Sequence, residues 1–125
     1  MLVFPATLTA GECESIRSQA PGWPEAPVAV MPEPSEPVRR ASTRSVVRNA
    51  QAEWLYRRIT EVFLAANRTY GFAIDDTVND VLFVAYGEKG FFGWHTDLGS
   101  GGECTRKLSM SLLLDGPGSY AGGGL

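Results

Sequence analysis

The sequence predicts an α+β fold in which N-terminal helices cover one face of a β-sheet. Two segments in the first part of the chain have the spacing and end signals of helices, whereas the later part consists of short apolar runs separated by glycine-rich turns. The length of 125 residues, with 44% apolar and 20% charged residues, is typical of one globular domain. We therefore expect helical support over residues 1–75 and a β-core over residues 76–125.

The first helix is predicted from a capping box. Thr9 and Glu12 have the Ser/Thr-x-x-Glu spacing in which each side chain accepts a hydrogen bond from the other residue's backbone, so a helix should begin near residue 10. The apolar side of this helix would consist of Cys13, Ile16 and Ala20.

A proline-rich stretch follows the first helix. Six of the eight prolines lie within residues 21–37, and proline disrupts both helices and inner strands because it lacks a backbone N–H. We expect a loop here, either disordered or acting as a flap that faces the substrate. Residues 38–47 mix arginine with β-branched residues and predict a strand.

The second helix is long and amphipathic. Asn49 can cap its start, and Gly71 is a natural stop at its C-terminal end. Apolar residues in between recur at the spacing that places them on one face, which predicts a packing element that covers a sheet. These residues are Leu55, Ile59, Val62, Phe63 and Ala66.

The β-core is predicted from four segments of strand length, at residues 72–74, 81–86, 91–98 and 107–114. In the last of these, alternation places four apolar side chains on one face, which we assign to the core, and the opposite face carries Ser109, Ser111 and Leu113. The four apolar residues are Leu108, Met110, Leu112 and Leu114. Strong turn chemistry follows in Asp115-Gly116-Pro117-Gly118.

The candidate chemistry lies in Trp94-His95-Thr96-Asp97, which contains the only histidine of the chain. Residues two apart on a strand point to the same face, so His95 and Asp97 can offer an imidazole nitrogen and a carboxylate oxygen to one metal ion. Such a pair supplies two of the three ligands of a facial triad for non-haem iron. Because the spacing also arises by chance, the alternative is a surface strand on which the two side chains only hydrogen-bond each other.

The residues around this motif resemble the iron(II)/2-oxoglutarate-dependent dioxygenases, in their prolyl-4-hydroxylase-like branch. Tyr86 precedes the motif, Arg106-Lys107-Leu108-Ser109 follows it, and the turn Tyr120-Ala121-Gly122-Gly123-Gly124-Leu125 comes last. The similarity covers roughly residues 80–125 and is less specific at residues 38–42 and 54–58. It implies a double-stranded β-helix, or jelly roll, with iron between its two sheets.

The resemblance also implies the cofactors and the reaction. Iron(II) would be held by His95 and Asp97, with 2-oxoglutarate as co-substrate and ascorbate as an accessory reductant. Such enzymes couple the oxidative decarboxylation of 2-oxoglutarate to the oxidation of a second, small-molecule or peptidyl, substrate. Tyr86 would hydrogen-bond 2-oxoglutarate, and the face with Ser109, Ser111 and Leu113 would form the pocket wall. Protein prolyl residues, free amino acids and small metabolites are all compatible substrates.

Three residues near the motif also have simpler roles. Tyr86 fits a packing position at a strand end equally well, and Arg106 is most simply a solvated strand start, so we assign it no contact with 2-oxoglutarate. Cys104 lies in the loop after Asp97 and can approach a metal there, although a free thiol in a loop is the simpler interpretation.

The chain departs from the family pattern in one respect. The pattern requires a second histidine some tens of residues after the aspartate and then a basic residue, and the sequence contains neither. We therefore expect the N-terminal part of a dioxygenase domain that is inactive alone. The alternative is a non-catalytic jelly-roll binding domain with a remnant metal site, and a later histidine followed by a basic residue would favour the enzyme.

Composition restricts the partners. A net charge of −3, with arginines interleaved among acidic residues, gives no basis for nucleic-acid binding. No apolar run approaches the length of a membrane span, and the N-terminus does not predict a signal peptide. Two cysteines, Cys13 and Cys104, do not form a disulfide framework, so we expect a cytoplasmic protein. The oligomeric state is left open.

Overall fold

The computed structural model describes residues 1–26, 39–74, 78, 81–93, 106–116 and 118–121. These residues form a mixed α/β structure in which the strands pair antiparallel in small sheets and close no barrel, so the jelly roll stays a prediction. The helices are α1 (Ala10–Gln19) and α2 (Glu53–Tyr70), and the strands are β1 (Arg39–Arg40), β2 (Ser42–Ser45), β3 (Leu82–Ala85) and β4 (Phe91–Phe92).

Helix α1 begins at the predicted capping box. The Glu12 N–H donates to the Thr9 hydroxyl at 3.2 Å, and the Thr9 N–H donates to the Glu12 carboxylate at 2.7 Å. Both hydrogen bonds satisfy backbone donors that have no partner inside the helix, which fixes its first residue. Ile16 is buried on the side that faces the core, and a 3₁₀ turn over Ala20–Gly22 ends the segment.

Helix α2 ends at the predicted residue, but it begins at Glu53, after a turn that starts at the predicted cap Asn49. The Asn49 side chain accepts hydrogen bonds from the backbone N–H groups of Gln51 and Ala52, at 2.9 and 3.0 Å, and so caps the turn that leads into the helix. Gly71 ends it in the left-handed conformation, at φ 67°. Leu55 and Ile59 are buried on the predicted apolar face. No helix in the described ranges is long and apolar enough to cross a membrane.

Tyr56 ties α2 to the sheet, a role that the sequence did not predict. Its side chain is 4% exposed, and its hydroxyl donates to the carbonyl oxygen of Val46 at 2.7 Å, just after β2. The guanidinium of Arg48 lies 5.1 Å from the centre of the Tyr56 ring. Arg48 in turn donates two hydrogen bonds to Glu53 in the first turn of α2, at 3.0 and 2.9 Å. The start of the helix is thereby held against the end of β2.

The four strands form two antiparallel sheets of two strands each. β2 pairs antiparallel with β3, and β1 pairs antiparallel with β4. Only Ala41 separates β1 from β2, whereas residues 86–90 separate β3 from β4. This longer connection, residues 86–90, is called the excursion below. The Gly90 N–H closes this excursion by donating to the Gly87 carbonyl at 2.8 Å. A Cβ at Gly90 would lie 2.9 Å from the Gly87 oxygen and 3.1 Å from the Arg40 oxygen, so the position requires glycine.

A short segment of the proline-rich stretch covers the other edge of β2. The Ala26 N–H donates to the Thr43 carbonyl at 3.0 Å, and the Ser45 N–H donates to the Pro24 carbonyl at 2.9 Å. Nearby, the buried Trp23 ring meets Phe83 edge-on, with ring centres 5.9 Å apart. β2 therefore has neighbours on both edges, and it lies over a core formed by both helices.

The core contains residues from α1, the turn after it, the position just after β2, and the start of α2. Side chains from β3, from position 78 and from residues 106–116 pack against it. The buried residues are Ile16, Ala20, Trp23, Val46, Ala52, Leu55, Tyr56 and Ile59.

The predicted strand at residues 72–74 is wrong. In the structure these residues form no strand, because the Asn67 side chain takes both backbone groups of Phe72 that a neighbouring strand would use. Its amide donates to the Phe72 carbonyl at 2.8 Å, and its oxygen accepts from the Phe72 N–H at 3.0 Å. The predicted strand at residues 38–47 is present, but as the two pieces β1 and β2.

The predicted strand at residues 107–114 is also not formed as such. No described strand pairs with it, yet burial alternates along it residue by residue, as in a strand with one face on the core. Met110, Leu112 and Leu114 pack against the core as predicted, and the Leu114 carbonyl accepts a hydrogen bond from Arg17 of α1 at 2.6 Å.

The turn predicted after this segment is present, since the Ser119 N–H donates to the Gly116 carbonyl at 3.2 Å. For the predicted strand at residues 91–98, β4 accounts for Phe91–Phe92, and residues 94–98 lie outside the described ranges.

Candidate functional site

The proposed metal ligands, His95 and Asp97, lie outside the described residues, so their common face stays a prediction. The described chain leads directly to them: β4 ends at Phe92, and His95 follows three residues later. Three residues of chain span at most about 11 Å. The described strand that comes before the motif in the sequence is therefore β4, which pairs with β1.

Tyr86, the proposed 2-oxoglutarate contact, is the first residue after β3 and begins the excursion 86–90. Its side chain is 49% exposed, so about half of its surface packs on the protein and the rest faces solvent. Within the described part of the chain, its hydroxyl forms no hydrogen bond. The position thus offers a hydroxyl, directly after β3, to which a ligand can form a hydrogen bond.

Ser109, Ser111 and Leu113 are all exposed, on the side opposite to the residues that pack on the core. Leu113 is 66% exposed, a large fraction for an apolar side chain whose neighbours Leu112 and Leu114 are partly buried. The division of this segment into two faces is confirmed. The role of the exposed face as a pocket wall stays a prediction.

The donor chemistry of the motif suits the proposed metal. An imidazole and a carboxylate provide the nitrogen and oxygen ligands that iron(II) and manganese(II) accept, without the thiolates that favour zinc or iron–sulfur clusters. Among the residues that the structure describes, no group of three or more His, Cys, Asp or Glu side chains could hold a metal. Both proposed ligands, and also Cys104, lie beyond those residues. By donor type the pair fits iron(II).

The clear pKa shifts belong to the helices. A hydrogen bond from the Thr9 N–H lowers the pKa of Glu12, and hydrogen bonds from Arg48 lower that of Glu53. A hydrogen bond with Glu14 raises the pKa of Arg17. The shifts of Glu12 and Glu53 come from contacts at helix starts, and that of Arg17 comes from a contact within α1. All three therefore describe the fold and not a reaction.

A surface groove of about 250 Å³ lies between the N-terminal segment and α2. Arg58 lines this groove, where it donates to the Thr7 carbonyl at 2.7 Å and pairs with Glu61 at 3.7 Å. None of the described candidate residues lines it. The groove is therefore not part of the predicted site, and we assign it no function. Its lining residues are Phe4, Pro5, Ala6, Thr7, Arg58, Glu61, Val62 and Ala65.

Arg39 is a functional candidate that the sequence did not single out. It lies on β1 opposite Phe92, and its guanidinium is 4.8 Å from the centre of the Phe92 ring. Its Nε atom is buried, and none of the described residues provides it with a hydrogen-bond acceptor. No local spacing could reveal this pair, because the two residues come from distant parts of the chain and meet only through strand pairing.

Comparison with family models, with curated proteins and with solved structures finds no match to this chain.

Proposed function

We propose that this chain belongs to an iron(II)- and 2-oxoglutarate-dependent oxygenase of the prolyl-4-hydroxylase type. The observation that carries the proposal is the His95-x-Asp97 motif in its place, directly after a paired strand and before a segment with one free face. The fold supports it in part, since helices pack on strands in the described ranges as the resemblance expects.

In this proposal His95 and Asp97 hold the iron. When bound, the metal and 2-oxoglutarate together would supply the oxidising chemistry. The protein's task is to bind and orient the substrate and to exclude water. Within the described ranges the hydroxyls of Tyr86, Ser109 and Ser111 form no hydrogen bond, so each could hydrogen-bond the co-substrate.

Leu113 contributes apolar surface to the same pocket, and its exposure in the described structure is consistent with contact to a ligand or to further protein. Leu112 and Leu114, packed against the core, hold this segment in place so that the opposite face stays oriented. The proposed compartment is the cytoplasm, where iron is kept ferrous and cysteines stay reduced.

The resemblance requires a third protein ligand and a basic residue for the far carboxylate of 2-oxoglutarate, and these 125 residues supply neither. Two ligands hold a metal weakly, and an unpaired co-substrate carboxylate binds weakly too. We therefore expect the 125-residue chain alone to form no succinate above an iron-only control. A form extended through strands that carry both groups should form it.

Succinate formation from 2-oxoglutarate, with oxygen and iron(II), tests the proposal in the extended form. His95→Ala and Asp97→Ala should each abolish it, whereas Glu25→Gln, which removes an exposed carboxylate elsewhere, should leave it unchanged. Turnover that survives Asp97→Ala would contradict the proposal. Succinate formation by the short chain, abolished by His95→Ala, would show that the third ligand is not required.

A further inference from the structure

Four arginines of the described chain are partly buried, and three of them have hydrogen-bond acceptors. Such pairing is the rule, since a buried charged donor without an acceptor is unfavourable. Arg39 is the exception in the described part of the chain, because its Nε is buried and unpaired. The three paired residues are Arg17, on the Leu114 carbonyl at 2.6 Å, Arg44, on the Trp23 carbonyl at 2.8 Å, and Arg58, on the Thr7 carbonyl at 2.7 Å.

Arg39 combines a cation–π contact with an edge of hydrogen-bond donors. The central carbon of its guanidinium lies 4.8 Å from the centre of the Phe92 ring. Hydrogen bonds to a guanidinium lie in its plane, so a ring that contacts its face does not compete with them. The Nε–H and one Nη–H form a two-donor edge that matches the two oxygens of a carboxylate. In the described part of the chain, the Nε–H of this edge is buried and lacks an acceptor.

The neighbouring Arg40 is a natural comparison. It is exposed and lies opposite Phe91, on the other face of the same short strand. An exposed guanidinium is satisfied by water and carries no inference. The two residues have the same charge and lie on the same strand, and they differ in burial and in the aromatic contact.

We propose that Arg39 and Phe92 form a binding site for a carboxylate group of the ligand on which this protein acts. One guanidinium edge presents two parallel donors, which match the two oxygens of a carboxylate. Binding of the carboxylate needs no metal, and only its assignment to substrate or co-substrate rests on the proposed oxygenase function. Because Phe92 is three residues before His95, the carboxylate would lie beside β4, within about 11 Å of chain from the motif.

The test observes the Nε–H signal of Arg39 directly by ¹H–¹⁵N NMR of the metal-free chain. Acetate, N-acetylglutamate amide and 2-oxoglutarate are titrated separately at constant ionic strength. A saturable shift of this signal with all three supports a general carboxylate site for the substrate. A shift with 2-oxoglutarate alone supports the site and assigns it to the co-substrate. No shift with any of them, or equal shifts of all arginine signals, overturns the proposal.

Two variants make the test specific. Arg39→Lys keeps the charge and loses the two-donor edge, so carboxylate affinity should fall about tenfold, as expected for one lost charge-assisted hydrogen bond. Arg40→Lys should bind as the wild type does. Equal affinity of Arg39→Lys and wild type would overturn the proposal. If Arg39→Lys does not fold, the Nε–H titration of the wild type still decides the question.

Discussion

Removing the Tyr56 hydroxyl should destabilise the protein although the ring is kept. In Tyr56→Phe the Val46 carbonyl loses the 2.7 Å hydrogen bond that it accepts from this hydroxyl. Both residues are about 95% buried, with exposures of 4% and 5%, so water cannot replace the donor. A buried acceptor left unsatisfied costs about 1–2 kcal/mol in the free energy of unfolding. For a chain of this size, that corresponds to a fall in Tm of roughly 3–8 °C.

Urea unfolding followed by circular dichroism measures this difference, with Tyr70→Phe as the matched control. Tyr70 ends the same helix, is 43% exposed and stacks on Phe72 through a ring that the substitution keeps. Its loss of a hydroxyl should change the free energy of unfolding by less than about 0.5 kcal/mol. Equal stability of the two variants would refute the inference that Tyr56 ties α2 to the sheet.

Three further predictions concern stability. Leu112→Ala should lose about 1–2 kcal/mol because Leu112 packs on the core, whereas Leu113→Ala, at a position 66% exposed, should lose less than about 0.5 kcal/mol; equal losses would contradict the two-face assignment. Gly90→Ala should lose about 1–3 kcal/mol, since its Cβ would meet two backbone oxygens, and Gly87→Ala, with open space, should be neutral in the same urea titration. The hydrogen bond from the Thr9 N–H holds the pKa of the Glu12 carboxyl below 4.5. Wild type should therefore be more stable than Glu12→Gln above pH 4.5, and this difference should disappear as the pH falls through the lowered pKa. A difference in urea midpoints that does not change with pH would contradict this.

Signals that act over a few residues were predictable from the sequence. The capping box at Thr9, the stop at Gly71 and the alternation along residues 107–114 were each correct, because each depends on neighbours within one or two turns of chain. The strand at residues 72–74 was wrong because a side chain outside the segment, Asn67, took its backbone hydrogen bonds.

Contacts between distant segments were not predictable. The pairing of β2 with β3, the hydrogen bond of Tyr56 and the contact of Arg39 with the Phe92 ring depend on how distant segments meet, which no local pattern specifies. For the candidate site, the sequence correctly predicted which residues of the segment 107–114 face away from the core. The sequence did not identify Arg39, because it does not distinguish an arginine that contacts an aromatic ring from a neighbouring arginine that is exposed to solvent.

The central proposal is that His95 and Asp97 hold a divalent metal together. The most direct measurement is a titration of the 125-residue chain with manganese(II), without oxygen, followed by paramagnetic broadening of backbone amide signals. The account predicts broadening centred on the residues next to β4, such as Gly93, even at weak affinity. Asp97→Ala should weaken it by more than the roughly tenfold effect of losing an outer-shell partner, and Glu25→Gln should not change it. Broadening that is absent, or that is unchanged in Asp97→Ala, would contradict the metal site and favour a non-catalytic binding domain.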